Sequence, residues 1–162
     1  MSNRNLATYI KDHFAGSEGA LAVLDHIEKV HGGAAADMAR TLRPQFQSER
    51  AVLSKLLACF GTEESLPRRV FGWLSEKGLE LKLKVDDPSD GALHLLEAVE
   101  MLALGVHGKR GLWVALAASR DNIPALATED FNALTAQAKA QRALIESVRL
   151  AGAKAAFAGR GK

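Results

Sequence analysis

The chain has 162 residues, 48% hydrophobic and 25% charged, with a formal net charge of +2; it is long enough for one domain with its own core and too weakly basic for charge alone to argue for nucleic acid. Cys59 is the sole cysteine, which excludes an internal disulfide and suits a reducing compartment. No stretch approaches the roughly 18 apolar residues of a membrane span, and MSNRNLATYI lacks the apolar run of a signal peptide, so the expected location is cytoplasmic.

Alanine and leucine are abundant and β-branched residues sparse, which leans helical. A first helix is expected over 4–31, where Leu6, Ile10, His13, Ser17, Leu21, Leu24 and Ile27 or Glu28 keep a three/four rhythm and Phe14 and Leu21 widen the face. Gly16 and Gly19 bracket Glu18 inside it. Each glycine costs about 1 kcal/mol against alanine in a helix interior. A closely approaching helix would justify that cost, so AGSEGA is expected to be a contact point. The HGG at 31–33 stops the helix.

The second helix is expected from Asp37, or from the alanines just before it, to FGT at 60–62. Its stripe is the most regular in the chain: Leu42, Phe46, Glu49, Leu53, Leu56 and Phe60. Glu49 stands in the middle of it, where an apolar residue belongs. Pro44 either kinks the helix or marks a late start to its regular part. Cys59, late in this apolar helix, reads as buried packing. Between 61 and 90 a turn at 63–67 and a short helix at 68–77 precede LELKLKV, whose period-two alternation predicts an extended segment over the helices. A connection this long can travel the full length of a helix.

The third helix, about 90–119, aligns Leu95, Val99, Leu102, Val106, Trp113 and Leu116, with one step landing on Lys109. GVHGKRG within it has no preceding strand, which argues against a phosphate-cradling loop. Gly105, Gly108 and Gly111 are instead expected to admit close packing by the crossover or another helix. Asn122 and Pro124 break the pattern. The fourth helix starts after Thr128, with Glu129 and Asp130 in its first turn, and carries Phe131, Leu134, Ala138, Gln141, Ile145 and Val148. Its alanine-rich end and a basic tail over about 156–162 are expected to fray.

The fold class is therefore all-α: a ferritin-like four-helix bundle forming one domain over 1–162, with a crossover at 61–90 that carries a short extra helix. Such bundles hold two metal ions with a Glu from each of two helices and a Glu-x-x-His from each of the other two. Mid-helix acids are present as Glu18, Glu49, Glu97 and Glu100, but Val52 follows Glu49 where a histidine belongs, and the fourth helix offers Gln137 and Gln141. The single Glu-x-x-His is Glu28 with His31, at a helix end. A buried Glu49 needs a cation, a hydrogen-bond donor or a proton. An internal network with Lys109, Arg110, Gln141 or Tyr9 is the leading reading, and a metal-ligand role the rival. His13, His94 and His107 read as hydrogen-bonded or polar-face histidines, and Trp73 and Trp113 as packing. No nucleophile motif or zinc spacing occurs.

DHFAGSEGAL near the start, SER in the second helix, WLSEKGLELKL in the crossover and LEAVEMLALGVHGKRGLW in the third helix together resemble a family of small bacterial proteins with ferritin-like folds and no established activity. The resemblance covers about residues 6–150, and extends more distantly to the ferritin-like stress proteins. It implies a ferritin-like bundle and, by position along the helices only, would carry over Glu18, Glu49 and Glu100 as carboxylates of a metal site. The missing histidines and Gln137 depart from that pattern.

The expected function is a non-catalytic, cytoplasmic, stress-related helical protein with a degenerate metal site, acting by self-association or protein interaction. The rival is an iron- or manganese-binding protein using Glu18, Glu49, Glu100 and His107 for storage or oxidation chemistry. The leading reading leans away from an enzyme, needs no cofactor and admits a homodimer. Nucleic-acid binding through the basic tail has few cations behind it and would be steeply salt-dependent.

Overall fold

The computed structural model describes residues 2–61 and 91–158. They form four long helices: α1 (Ser2–Val30), α2 (Gly33–Cys59), α3 (Ala92–Ser119) and α4 (Phe131–Phe157). Two 3₁₀ turns, Arg120–Asn122 and Pro124–Leu126, carry the chain from α3 to α4. No strand occurs among the described residues. The short helix expected at 68–77, the LELKLKV segment and the last four residues of the basic tail lie outside the described residues.

Side-chain pairs fix the direction of each helix. Only His31 and Gly32 separate α1 from α2, and Gly33 takes φ +57°, a left-handed conformation that glycine adopts without a Cβ penalty. Arg43 then reaches back to Asp25 and Glu28, and Arg50 Nη1 donates to the Phe14 carbonyl at 2.6 Å, so α1 and α2 are antiparallel. Arg149 meets Glu100 at 3.3 Å and Lys109 meets Gln141 at 2.7 Å, so α3 and α4 are antiparallel too. Lys55 with Glu129, and Glu49 with Gln141, set α2 against α4 in the same opposed sense. A Cβ on Gly91 would stand 3.8 Å from His31, so α3 begins at the end of the bundle where α1 stops and α2 starts. The parallel helices α2 and α3 therefore face each other across a diagonal. α1 packs on α2 and α3, and α4 on α3 and α2.

The expected stripes of α2, α3 and α4 form the core, with Leu42, Leu56, Val99, Leu102, Trp113, Leu116 and Ile145 almost fully buried. Trp113 stacks on Phe131 with ring centroids 6.2 Å apart, and its indole N–H finds no acceptor among the described residues. That packing wins at such a cost marks how completely the ring is enclosed. On α1 Ile10, Leu24 and Ile27 of the expected rhythm are fully buried. Phe14 and Val23 are buried, whereas His13 and Ser17 are only partly covered.

Other expectations are corrected. Helix α2 begins at Gly33, well before Pro44, so the proline lies inside a helix already under way and does not mark its start. Cys59 is exposed, because it is the last residue of α2, where the helix leaves the core. The cap of α4 is Asp130, whose carboxylate accepts from the Ala133 N–H at 3.0 Å, while Glu129 turns to Lys55. That helix holds to Phe157, past the point where fraying was expected.

The glycines tell a different story from the one expected. A Cβ at Gly16, Gly105, Gly108 or Gly111 would meet nothing within 4 Å, so no close contact with another described helix requires them. The close approach is at Gly152, whose Cβ would stand 3.7 Å from the Leu96 Cα where α4 crosses α3. Gly111→Ala should raise the unfolding free energy by about 0.5–1 kcal/mol. Thermal melts read this as a Tm gain of about 2–4 °C per kcal/mol for a chain of this size. A lowered Tm would mean that another group packs against that side of α3.

Candidate functional site

Glu49 and Lys109 lie nearly the same distance from the starts of two parallel helices, and both fall on inward stripes, so the diagonal brings them together at mid-bundle. Glu49 and Gln141 are each 2% exposed, the buried polar residues of the described core. Lys109 Nζ donates to Glu49 Oε2 and, at 2.7 Å, to Gln141 Oε1. The same ammonium stands 3.7 Å from the centroid of the Phe46 ring, within cation–π range. Gln141 Nε2 donates to Glu49 Oε1 and to Gln45 Oε1, both at 3.0 Å, and Gln137 Nε2 reaches Gln45 at 3.4 Å. Both carboxylate oxygens thus accept from the chain itself.

The network resolves the anomaly of Glu49. A carboxylate isolated from water is expensive, and a facing ammonium with further hydrogen bonds offsets that expense. Of the four partners expected for Glu49, Lys109 and Gln141 supply it. Tyr9 packs edge-to-face on His13 at 4.8 Å, and Arg110 is exposed. Burial pushes the Lys109 ammonium below its ordinary 10.5, and the opposing pull of Glu49 does not fully restore it.

The other metal-ligand candidates are dispersed. Glu18 is largely exposed, 3.9 Å from Arg50. Glu100 is exposed and held by Arg149, which with Arg142 also clamps Glu146 and draws that carboxyl down to about 2. His107 and Glu97 are exposed. Glu28, of the lone Glu-x-x-His, pairs with Arg43. No group of three or more His, Cys, Asp or Glu converges among the described residues. The donor set around Glu49 is one carboxylate, one ammonium and three amides, which does not fit a di-metal carboxylate centre.

Beside the network, between α1 and α3, lies a cavity of about 430 Å³. Val23, Phe46, Leu53, Met101 and Leu112 line it, and Glu49, Arg50 and Lys109 reach its wall. Gly16, Gly105 and Gly108 face it too, so no described helix comes close at these positions, and the crossover expected over Gly105 and Gly108 lies outside the described residues. Sequence reading missed Arg50 and Gln45. Their sole signal is a polar residue one helical turn from, or beside, Glu49. At the cavity edge His13 is held below its usual 6.5 by burial, with Asp12 opposing.

No protein-family model, curated protein or solved structure matches the chain. No described helix is long and apolar enough to cross a membrane.

Lys109→Ala leaves Glu49 buried without its cation and should cost about 3–5 kcal/mol in urea unfolding. The double variant Glu49→Leu with Lys109→Met should recover most of that loss, and additivity of the single effects would show the pair to be uncoupled. The pH dependence has a definite sign. The folded Lys109 pKa is lowered, so between that value and 10.5 the unfolded chain binds more protons and stability rises with pH. The wild-type-minus-Lys109→Met difference in unfolding free energy should accordingly shift toward wild type as pH rises from neutrality toward about 10. A shift in the other direction would mean that the folded state stabilises the charged amine.

Proposed function

We propose that this chain is a ferritin-like bundle in which an internal ion pair takes the place of a metal centre, and that it acts non-catalytically, in the cytoplasm, by self-association or contact with another protein. The observation that carries the reading is Lys109 Nζ on Glu49, with Gln141 closing the other carboxylate oxygen. The chain supplies its own cation there.

Topology supports the ferritin-like part. Because α2 and α3 run the same way, α2 stops and α3 starts at opposite ends of the bundle, as in ferritin-like folds. Self-association draws on α3, which carries exposed apolar side chains among its charged ones. Beyond its buried stripe, Leu104 is 73% and Val114 48% exposed. Exposed apolar residues of this size commonly mark interaction surfaces. The iron or manganese reading would require Lys109 to leave Glu49 and Arg149 to leave Glu100.

Elemental analysis of protein purified without chelator tests the proposal, with Glu49→Ala alongside and sedimentation to read the oligomeric state. The expected result is iron and manganese far below one equivalent per chain, a lowered Tm in Glu49→Ala, and association that Val114→Glu weakens. Near-stoichiometric iron or manganese that disappears in Glu49→Ala would overturn it.

A further inference from the structure

We infer that the cavity between α1 and α3 is a binding site for a medium-chain aliphatic carboxylate, with its carboxylate on Arg50 and its chain running along α3 toward Met101. Three independent features converge on this ligand.

The first is the space. A volume of about 430 Å³ falls in the range of small-molecule pockets. It is kept open at Gly16, Gly105 and Gly108, where a Cβ would meet nothing within 4 Å. Alanine would be the better helix former at each position. The helix therefore forgoes stability there and retains room.

The second is shape and polarity. The lining extends from Asp12 to Val23 on α1 and from Met101 to Leu112 on α3. At the α-helical rise each span covers about 16 Å, room for an extended chain on the order of ten carbons. Antiparallel packing of α1 and α2 places Arg50 level with Phe14 and Ser17, toward one end, and Val23 with Phe46 toward the other. The polar groups therefore lie toward one end, with Leu53 and Leu112 beside them, and an apolar wall of Val23, Phe46 and Met101 runs away toward the other, which suits an amphiphile.

The third is a cation with hydrogen-bond donors to spare. Arg50 Nη1 donates to the Phe14 carbonyl and the Ser17 hydroxyl, both at 2.6 Å and both neutral. The guanidinium also lies 3.7 Å above the Phe14 ring. Its nearest carboxylate is that of Glu18, 3.9 Å from Nη2 and largely in solvent. Among the described residues Nε and Nη2 make no hydrogen bond. Lys109, in contrast, is committed to Glu49 and Gln141. Arg50 is thus a mostly covered cation with donors left over, and its planar fork suits a carboxylate. Asp12 stands at the exposed rim, where solvent screens its repulsion.

Decanoate titrated calorimetrically into the full chain tests the inference, with decan-1-ol and decyltrimethylammonium as controls of equal chain length. Decanoate should saturate a single site below its micellar concentration, and decanol should bind on the order of tenfold more weakly for want of the charge-assisted bond. The decylammonium probe should not bind. Arg50→Gln should bring decanoate down to the affinity of decanol without altering decanol itself. Arg50→Lys, which retains the charge and loses the fork, should fall between. Gly105→Leu, which fills the space without disturbing a contact, should abolish binding of both while far-UV circular dichroism is unchanged. Equal affinity for all three amphiphiles, decanoate binding indifferent to Gly105→Leu, or no decanoate binding would each overturn the inference.

Discussion

A carboxylate in the middle of a hydrocarbon core has to be matched, and the geometry of this bundle follows from how it is matched. Glu49 interrupts the most regular apolar stripe in the chain, and its cation comes from the helix diagonally opposite. Lys109 meets it because α2 and α3 run in the same direction with their starts at the same end. A change of one helical turn in either helix would displace one group from the other by about 5.4 Å and leave both charges buried apart. Gln141, brought by α4, ties that helix into the arrangement as well. An apolar core tolerates sliding far better than this polar centre does, so the network supplies register as much as stability.

Much of this was legible in the sequence, and the rest fails for identifiable reasons. The stripes of α2, α3 and α4 were readable because three/four spacing reports the buried face directly, and Lys109 was visible as the step that lands on a cation. The pairing of Glu49 with Lys109 and Gln141 was among the anticipated networks, since a buried carboxylate has few options. The α1 rhythm held at Ile10, Leu24 and Ile27 and weakened at the polar steps His13 and Ser17, because neighbouring apolar residues such as Phe14 and Val23 widen the buried face. The glycines misled more deeply. A glycine has the same one-letter signature whether it admits a neighbour, as Gly152 does beside Leu96, or preserves a void, as Gly105 does. The positions of the facing helices decide between these, and spacing along one helix does not contain that information.

The two halves of the bundle are packed to different standards. α4 comes close enough to α3 at Gly152 to touch backbone, and Trp113 is sealed against Phe131. Across the bundle, α1 and α3 pack while leaving open volume between them. Arg50 fastens α2 to the Phe14 carbonyl on α1 along the wall of that volume. Glu49 and Lys109 of the polar network reach the same wall.

The alternation of helix direction has an electrical consequence. Every packed neighbour runs opposite to the helix beside it, so each macrodipole lies against one of reversed sign, and each end of the bundle presents two helix starts and two helix stops. Neither end accumulates a pole able to gather counter-charge from solution. A charged molecule approaching this protein is therefore guided by side chains on its flanks, and the long axis of the bundle is nearly silent to it.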